Sequence, residues 1–187
     1  MKQILFLTGK ICSGKTYFAK HHAPNHTYLS VSSIVKGLIS SDKRSELQTT
    51  SNLSKQITNE IIRFIIQSLL NSDKILIDGI RQRAIIMEII SYFKPSIITG
   101  DLNFRLVWLE EDEEVLKRRY CKQNDKKNDI PFEEALQRDN ELGLFEIESI
   151  VNSYRWKYEP EIGEINECYH SLEPWCEVFI LKGEINE

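Results

Sequence analysis

A short segment near the start of the chain has the residue types and the spacing of a phosphate-binding loop. Residues 9–16 read Gly-Lys-Ile-Cys-Ser-Gly-Lys-Thr, a complete G-x-x-x-x-G-K-[ST] pattern. In such a loop the backbone N–H groups surround phosphate oxygens, the lysine reaches the outer phosphates and the threonine hydroxyl binds Mg²⁺. We call residues 9–16 the glycine loop, and we expect Lys15 and Thr16 to take these two roles.

The residues on either side of the glycine loop favour this interpretation over a chance glycine turn. An apolar run at residues 4–7 predicts a buried strand before the loop, and residues 15–22 predict a helix that Pro24 ends. A strand and a helix in these places direct the loop at a bound triphosphate. We therefore expect ATP and Mg²⁺ as cofactors, with ATP bound by Gly9, Lys10, Ile11, Cys12, Ser13, Gly14, Lys15 and Thr16.

A second segment with candidate chemistry follows another apolar run. Residues 75–83 read Ile-Leu-Ile-Asp-Gly-Ile-Arg-Gln-Arg, which places Asp78 at the carboxyl end of a predicted strand. There the carboxylate can join the Mg²⁺ shell or accept a proton from the attacking group, and the alternative is that it caps the next helix or makes a turn with Gly79. Arg81 and Arg83 can each hold an acceptor phosphate, but two residues apart they cannot share a helical face, so we expect only one to point at the ligand.

The elements that must position these residues alternate between strands and helices. Apolar runs predict strands at residues 4–7, 28–30, 74–78, 104–109 and 178–181. Helical periodicity predicts helices at 15–22, 31–39, 53–70, 82–93 and 113–122, and a further one that begins at Pro131 and is bent or broken at Gly143. This order predicts a single α/β domain over residues 1–187, with a parallel sheet covered by helices on both faces.

Three segments in this order resemble the landmarks of adenylate-kinase-like P-loop kinases, a group that includes nucleoside monophosphate kinases and dephospho-coenzyme A kinase. They are the glycine loop, residues 29–36 and residues 76–81. The resemblance implies a three-layer P-loop kinase fold in which residues 29–70 form an acceptor-binding arm. It also puts Lys36 where the family places an arginine on the acceptor phosphate.

Residues 117–143 resemble the lid of the same family. The resemblance implies that lid arginines neutralise charge on the transferring phosphoryl group and that closure excludes water. Arg118 and Arg138 are then candidates for catalysis, and Arg119 is a candidate for binding ATP. The alternative is that these arginines form surface ion pairs of little energetic value.

Composition limits the classes of function. The chain carries a net charge of -4, but residues 1–158 hold a balance of +3 and the acidic segment at residues 159–187 holds -7. The overall balance argues against a broad surface for nonspecific nucleic-acid binding. The four cysteines form no C-x-x-C pair, and no apolar run approaches the roughly 20 residues that span a bilayer, so we expect reduced thiols and no membrane contact. A cytoplasmic location is expected, in the host cell if the chain is phage-encoded.

Three functions remain open from the sequence, as does the oligomeric state. The first is transfer of the γ-phosphoryl group of ATP to a nucleotide-like small molecule, in the default case a (deoxy)nucleoside monophosphate held by Lys36, Asp78, Arg81 and Arg83. The second acceptor is the hydroxyl of 5-hydroxymethyluracil or a related pyrimidine in DNA, since the chain is also similar to phage P-loop kinases with that activity. Basic residues would then line a strand-binding groove and a tyrosine would stack on a base; the candidates are Lys36, Lys43, Arg44, Arg81, Arg83, Tyr28 and Tyr92. The third function is an ATP-binding regulator that transfers nothing.

Overall fold

A six-stranded sheet forms the centre of the computed structural model, which describes residues 1–41, 43–47, 51–123, 128–155, 170–171 and 176–182. The strands are β1 (Lys2–Gly9), β2 (Thr27–Ser30), β3 (Lys74–Asp78), β4 (Leu102–Glu110), β5 (His170–Ser171) and β6 (Cys176–Lys182). Their order across the sheet is β2-β3-β1-β4-β6-β5. The five predicted strands are all present, each within two residues of its expected limits.

The first five strands in this spatial order run parallel, as the sequence predicts, and β5 runs antiparallel to β6 at the edge. From β1 the chain continues to β2, which lies towards one edge of the sheet. From β4 it continues to β6, which lies towards the opposite edge. A crevice opens at the carboxyl ends of two neighbouring parallel strands whose connections diverge in this way, and ligands of open α/β sheets bind in such crevices. The glycine loop lies at this edge, directly after β1.

Helices connect most of the strands. They are α1 (Lys15–His21), α2 (Val31–Ile39), α3 (Arg44–Leu47), α4 (Ser54–Ser68), α5 (Arg83–Ile98), α6 (Glu113–Lys122), α7 (Phe132–Glu141) and α8 (Leu144–Arg155), with a 3₁₀ turn at Ser51–Leu53. Gly143 has a φ of 110° between α7 and α8, which confirms the predicted break. The helix predicted at residues 82–93 ends later than expected, because α5 continues to Ile98. Ile97 packs against the core in this last part of the helix, although Pro95 lacks an N–H group.

The strands alternate their side chains between two apolar layers. Ile4 and Phe6 of β1 point to the face covered by α2, α4, α5 and α8, where Phe6 stacks on Phe104 at a ring distance of 5.3 Å. Leu5 and Leu7 point to the opposite face, which α1 covers. Helices thus flank the sheet on both sides, and each fully buried aliphatic or aromatic side chain stabilises this arrangement by about 1.5–3 kcal/mol.

A smaller apolar cluster joins the glycine loop to the region resembling a lid. Ile11 of the loop is buried against Leu116 and Tyr120 of α6 and against Phe132 of α7. Residues 124–127 and most of the acidic segment lie outside the described residues. Within the described ranges, no helix combines the length and the apolar character needed to cross a membrane.

Candidate functional site

The backbone of the glycine loop adopts conformations that require glycine. Gly9 has a φ of 143°, and a Cβ built there would lie 2.5 Å from the carbonyl oxygen of Leu109 and 2.8 Å from the Ser13 Oγ. Gly14 has a φ of 89° immediately before α1 begins. Both lie in the left-handed half of φ space, where residues with a Cβ are strained, so these glycines determine the shape of the loop.

The ammonium of Lys15 folds back over the loop. It donates to the carbonyl oxygens of Gly9 at 2.9 Å and Lys10 at 2.7 Å, and it lies 3.2 Å from the Ser13 Oγ. Burial lowers the pKa of Lys15, and the nearby Asp78 carboxylate is the largest of the influences that oppose this shift. The amino group of Lys15 is thereby held against carbonyl oxygens of the loop itself.

Asp78 lies beside the loop, at the carboxyl end of β3. Its backbone pairs with Leu7 of β1, and the side chain is only 5% exposed. Oδ2 accepts a hydrogen bond of 2.8 Å from the Tyr28 hydroxyl, whereas the buried Oδ1 has no hydrogen-bond partner among the described residues. The alternative role as a helix cap is wrong, because Gln82 occupies the cap position of α5. A buried carboxylate oxygen without a partner is unfavourable, and a cation or a donated proton would remove that penalty.

Oxygen atoms at this point fit a Mg²⁺ ion shared with phosphates. The Thr16 hydroxyl and the Asp78 carboxylate both interact with the Tyr28 hydroxyl, so the two predicted metal residues lie close together. Mg²⁺ prefers oxygen ligands and commonly takes only one or two from the protein. The described part of the chain contains no cluster of three histidine, cysteine or acidic side chains that could hold a metal ion.

The two arginines that follow Asp78 have different surroundings. Arg81 is 22% exposed and its Nε lies 2.8 Å from the Oδ1 of Asp139, a fully buried carboxylate in α7. Arg83 is the first residue of α5 and is exposed. The sequence prediction named both arginines but did not foresee the ion pair with Asp139, which joins the end of β3 to the region resembling a lid.

The candidate arginines of residues 117–143 also have different surroundings. The guanidinium of Arg119 lies 3.1 Å from Glu111 and donates to the carbonyl oxygen of Cys12 at 3.4 Å, which places it against the glycine loop. Arg118 is exposed on α6. Of these two neighbours, Arg119 is the one that contacts the predicted ATP site.

Arg138 connects α7 to the segment resembling an acceptor arm. Its guanidinium lies 2.7 Å from Glu134 of the same helix and donates to the carbonyl oxygen of Ser45 in α3 at 2.6 Å. The backbone N–H of Ser45 also donates to Asp129 at 3.1 Å. These bonds of Ser45 span 84 and 93 residues of sequence, so no local pattern could have indicated them.

The remaining predicted residues lie at the borders of the site. Lys10 forms a 2.9 Å ion pair with Glu148 of α8, which fixes one side of the glycine loop. Lys36 is partly buried in the last turn of α2. Tyr28 was expected only as a stacking ring, and the contribution of its hydroxyl to Asp78 was missed because the two residues are 50 positions apart.

Comparison with known proteins adds no family to this geometry. No family model matches the chain, and the search of the curated proteins returned no match. The function is therefore inferred from the contacts of the site itself.

Proposed function

We propose that this chain is an ATP-dependent phosphotransferase with a P-loop kinase fold. The observation that carries the proposal is the position of Asp78 beside the glycine loop and Lys15. The buried Oδ1 of Asp78 has no hydrogen-bond partner in the described part of the chain. A triphosphate-binding loop alone would fit many nucleotide-binding proteins. A carboxylate at the neighbouring strand end adds the group that phosphoryl transfer requires next to the phosphates.

On the donor side, each residue of the loop has a physical task. Backbone N–H groups would bind the phosphate oxygens, and Lys15 would exchange part of its bonding to loop oxygens for the outer phosphates. Mg²⁺ bound with ATP would supply charge neutralisation on the phosphates, with Thr16 and Asp78 as the residues that hold it. Arg119, already against the carbonyl of Cys12, would add positive charge beside the transferring group.

On the acceptor side, Arg81 is the group best placed to bind a phosphate. Its guanidinium now pairs with Asp139, and a phosphate of the acceptor would compete for the same fork of donors. A (deoxy)nucleoside monophosphate, whose phosphate oxygen attacks the γ-phosphorus while ADP leaves, needs no general base. This acceptor remains the first choice.

A second acceptor is favoured by one specific observation. If a hydroxyl attacks instead, its oxygen forms the new bond to phosphorus, the bond to the ADP oxygen breaks, and the hydroxyl proton needs an acceptor. The buried Oδ1 of Asp78, which no described residue contacts through a hydrogen bond, has the chemistry for that task. The hydroxymethyl group of a modified pyrimidine in DNA is then the proposed acceptor.

One experiment tests both acceptors. The protein is incubated with ATP radiolabelled at the γ-phosphate and Mg²⁺, in parallel with a panel of mononucleotides and with DNA that contains or lacks 5-hydroxymethyluracil. Label in a mononucleotide supports the first acceptor, and label in the modified DNA alone supports the second. Binding of ATP with label in no acceptor would contradict the phosphotransferase proposal and support a regulator.

A further inference from the structure

We propose that Tyr28 is a positioning residue for the divalent cation, through a hydroxyl that fixes the orientation of the Asp78 carboxylate. This proposal rests on the proposed function, because it takes residues of that site as the cation ligands. Tyr28 itself does not touch the cation. It acts through Asp78.

The register of the sheet explains how a residue on an edge strand reaches the site. Ser30 of β2 pairs with Asp78 of β3, and Tyr28 pairs with Leu76. Residues two apart in a strand share a face, so Tyr28 lies on the face of Asp78, about 6.5 Å further from the strand end. A tyrosine side chain spans that distance along the sheet, whereas serine or threonine at the same position would fall short.

The Tyr28 hydroxyl connects the two predicted metal residues. It donates to Oδ2 of Asp78 at 2.8 Å and also interacts with the side chains of Thr16 and Ser30. The hydroxyl is the donor in its bond to Asp78, so it holds one carboxylate oxygen in place.

This bond gives the two carboxylate oxygens of Asp78 different roles. With Oδ2 held by the hydroxyl, the buried Oδ1 is the oxygen left to face a cation. Hydrogen bonds to metal-binding carboxylates orient them in this manner, and losing such a partner typically lowers metal affinity about 10- to 100-fold. The ring of Tyr28 is 42% exposed, and a phenylalanine would preserve its contacts. The hydroxyl, rather than the ring, therefore carries the proposed role.

The test measures cation binding directly. Mn²⁺ replaces Mg²⁺, and its binding to the full-length protein with the non-hydrolysable analogue AMP-PNP is followed by electron paramagnetic resonance. Tyr28→Phe should weaken Mn²⁺ binding about tenfold or more, while affinity for AMP-PNP in EDTA stays unchanged. Tyr92→Phe is the matched control, since it removes a hydroxyl from another exposed ring, 56% accessible, on α5.

A double-mutant cycle makes the test specific for Asp78. Asp78→Asn alone should weaken Mn²⁺ binding, and adding Tyr28→Phe to that variant should have little further effect. Equal Mn²⁺ affinity in wild type and Tyr28→Phe, or fully additive losses in the double variant, would overturn the role of Tyr28 while leaving the proposed function intact. Failure of the wild type to bind AMP-PNP at all would overturn the proposed function, and this proposal with it.

Discussion

The two sides of the candidate site are built from different kinds of contact. The glycine loop is closed by bonds within itself, with Lys15 bonded to carbonyl oxygens of Gly9 and Lys10, six and five positions away in the chain. The opposite side is held by bonds between distant elements, such as Arg81 with Asp139. The proposed donor side is therefore held largely by bonds within the loop, whereas a phosphorylated acceptor would compete with existing ion pairs. Binding of ATP and binding of the acceptor should respond differently to mutation.

The largest expected effect is on the donor side. Lys15→Ala removes the amino group that donates to carbonyl oxygens of the loop. The kcat/KM of phosphoryl transfer should fall about 100- to 1,000-fold, which is the usual effect of removing a donor that stabilises charge in the transition state. Lys20→Ala is the control, because Lys20 is exposed in the last turn of the same helix. Equal activity of the two variants in the radiolabel assay would remove Lys15 from the site.

A second effect tests whether the loop geometry is as rigid as its contacts indicate. Gly9→Ala places a Cβ 2.5 Å from a backbone oxygen at a φ of 143°, so we expect the free energy of unfolding to fall by roughly 3 kcal/mol, since backbone strain and overpacking each cost about 1–3 kcal/mol.

Gly37→Ala provides the matched control for the loop glycine. Gly37 lies within α2, and a Cβ added there would meet no atom of the described residues within 4 Å, so this change should raise the stability by about 0.5–1 kcal/mol. Urea unfolding of both variants gives the comparison. Tolerance of alanine at position 9 would contradict the account of the loop.

A third, smaller effect should appear on the acceptor side alone. Arg81→Ala removes the fork that an acceptor phosphate would share with Asp139, and we expect the acceptor KM to rise about tenfold, which corresponds to about 1.4 kcal/mol. The KM for ATP should stay unchanged. Arg83→Ala, at an exposed position two residues later, should change neither value more than slightly. A rise in the KM for ATP in the Arg81 variant would contradict the proposal that Arg81 serves acceptor binding alone.

The smallest effect concerns a histidine away from both sides of the site. Burial, with Lys74 nearby, lowers the pKa of His26, which lies between α1 and β2. The unfolded chain therefore binds this proton more readily, and stability is lost as pH falls below the ordinary histidine pKa of 6.5. His26→Gln should reduce the difference in unfolding free energy between about pH 7.5 and about pH 5.5. The same difference in His26→Gln, wild type and a His22→Gln control would show that another group causes the acid sensitivity.

Local patterns were sufficient to predict most of the fold. The strand at Lys74–Asp78 and the helix at Val31–Ile39 match their expected limits, because apolar runs and helical periodicity are properties of neighbouring residues. The two-residue strand β5 and the four-residue helix α3 were missed. Segments this short carry too few residues for a period to show, and tertiary contacts such as those of Ser45 form them instead.

The candidate site divides in the same way. The glycine loop and the strand-end position of Asp78 follow from consecutive residues, and the structure places them side by side. The partners of Arg81 and Asp78, and the Ser45 partner of Arg138, lie in other elements, and pairwise contacts over such separations leave no trace in a single sequence. The sequence therefore identified the charged candidate residues of the site, but not the groups that they contact.

Isothermal titration with AMP-PNP and Mg²⁺ tests the central claim, that the glycine loop with Lys15 is a nucleoside triphosphate site. We expect the wild-type protein and Lys20→Ala to bind one equivalent with the same affinity, and Lys15→Ala to bind about tenfold more weakly or worse, because charge-assisted hydrogen bonds to phosphate are lost. No binding by the wild type, or equal affinity in all three proteins, would contradict the account.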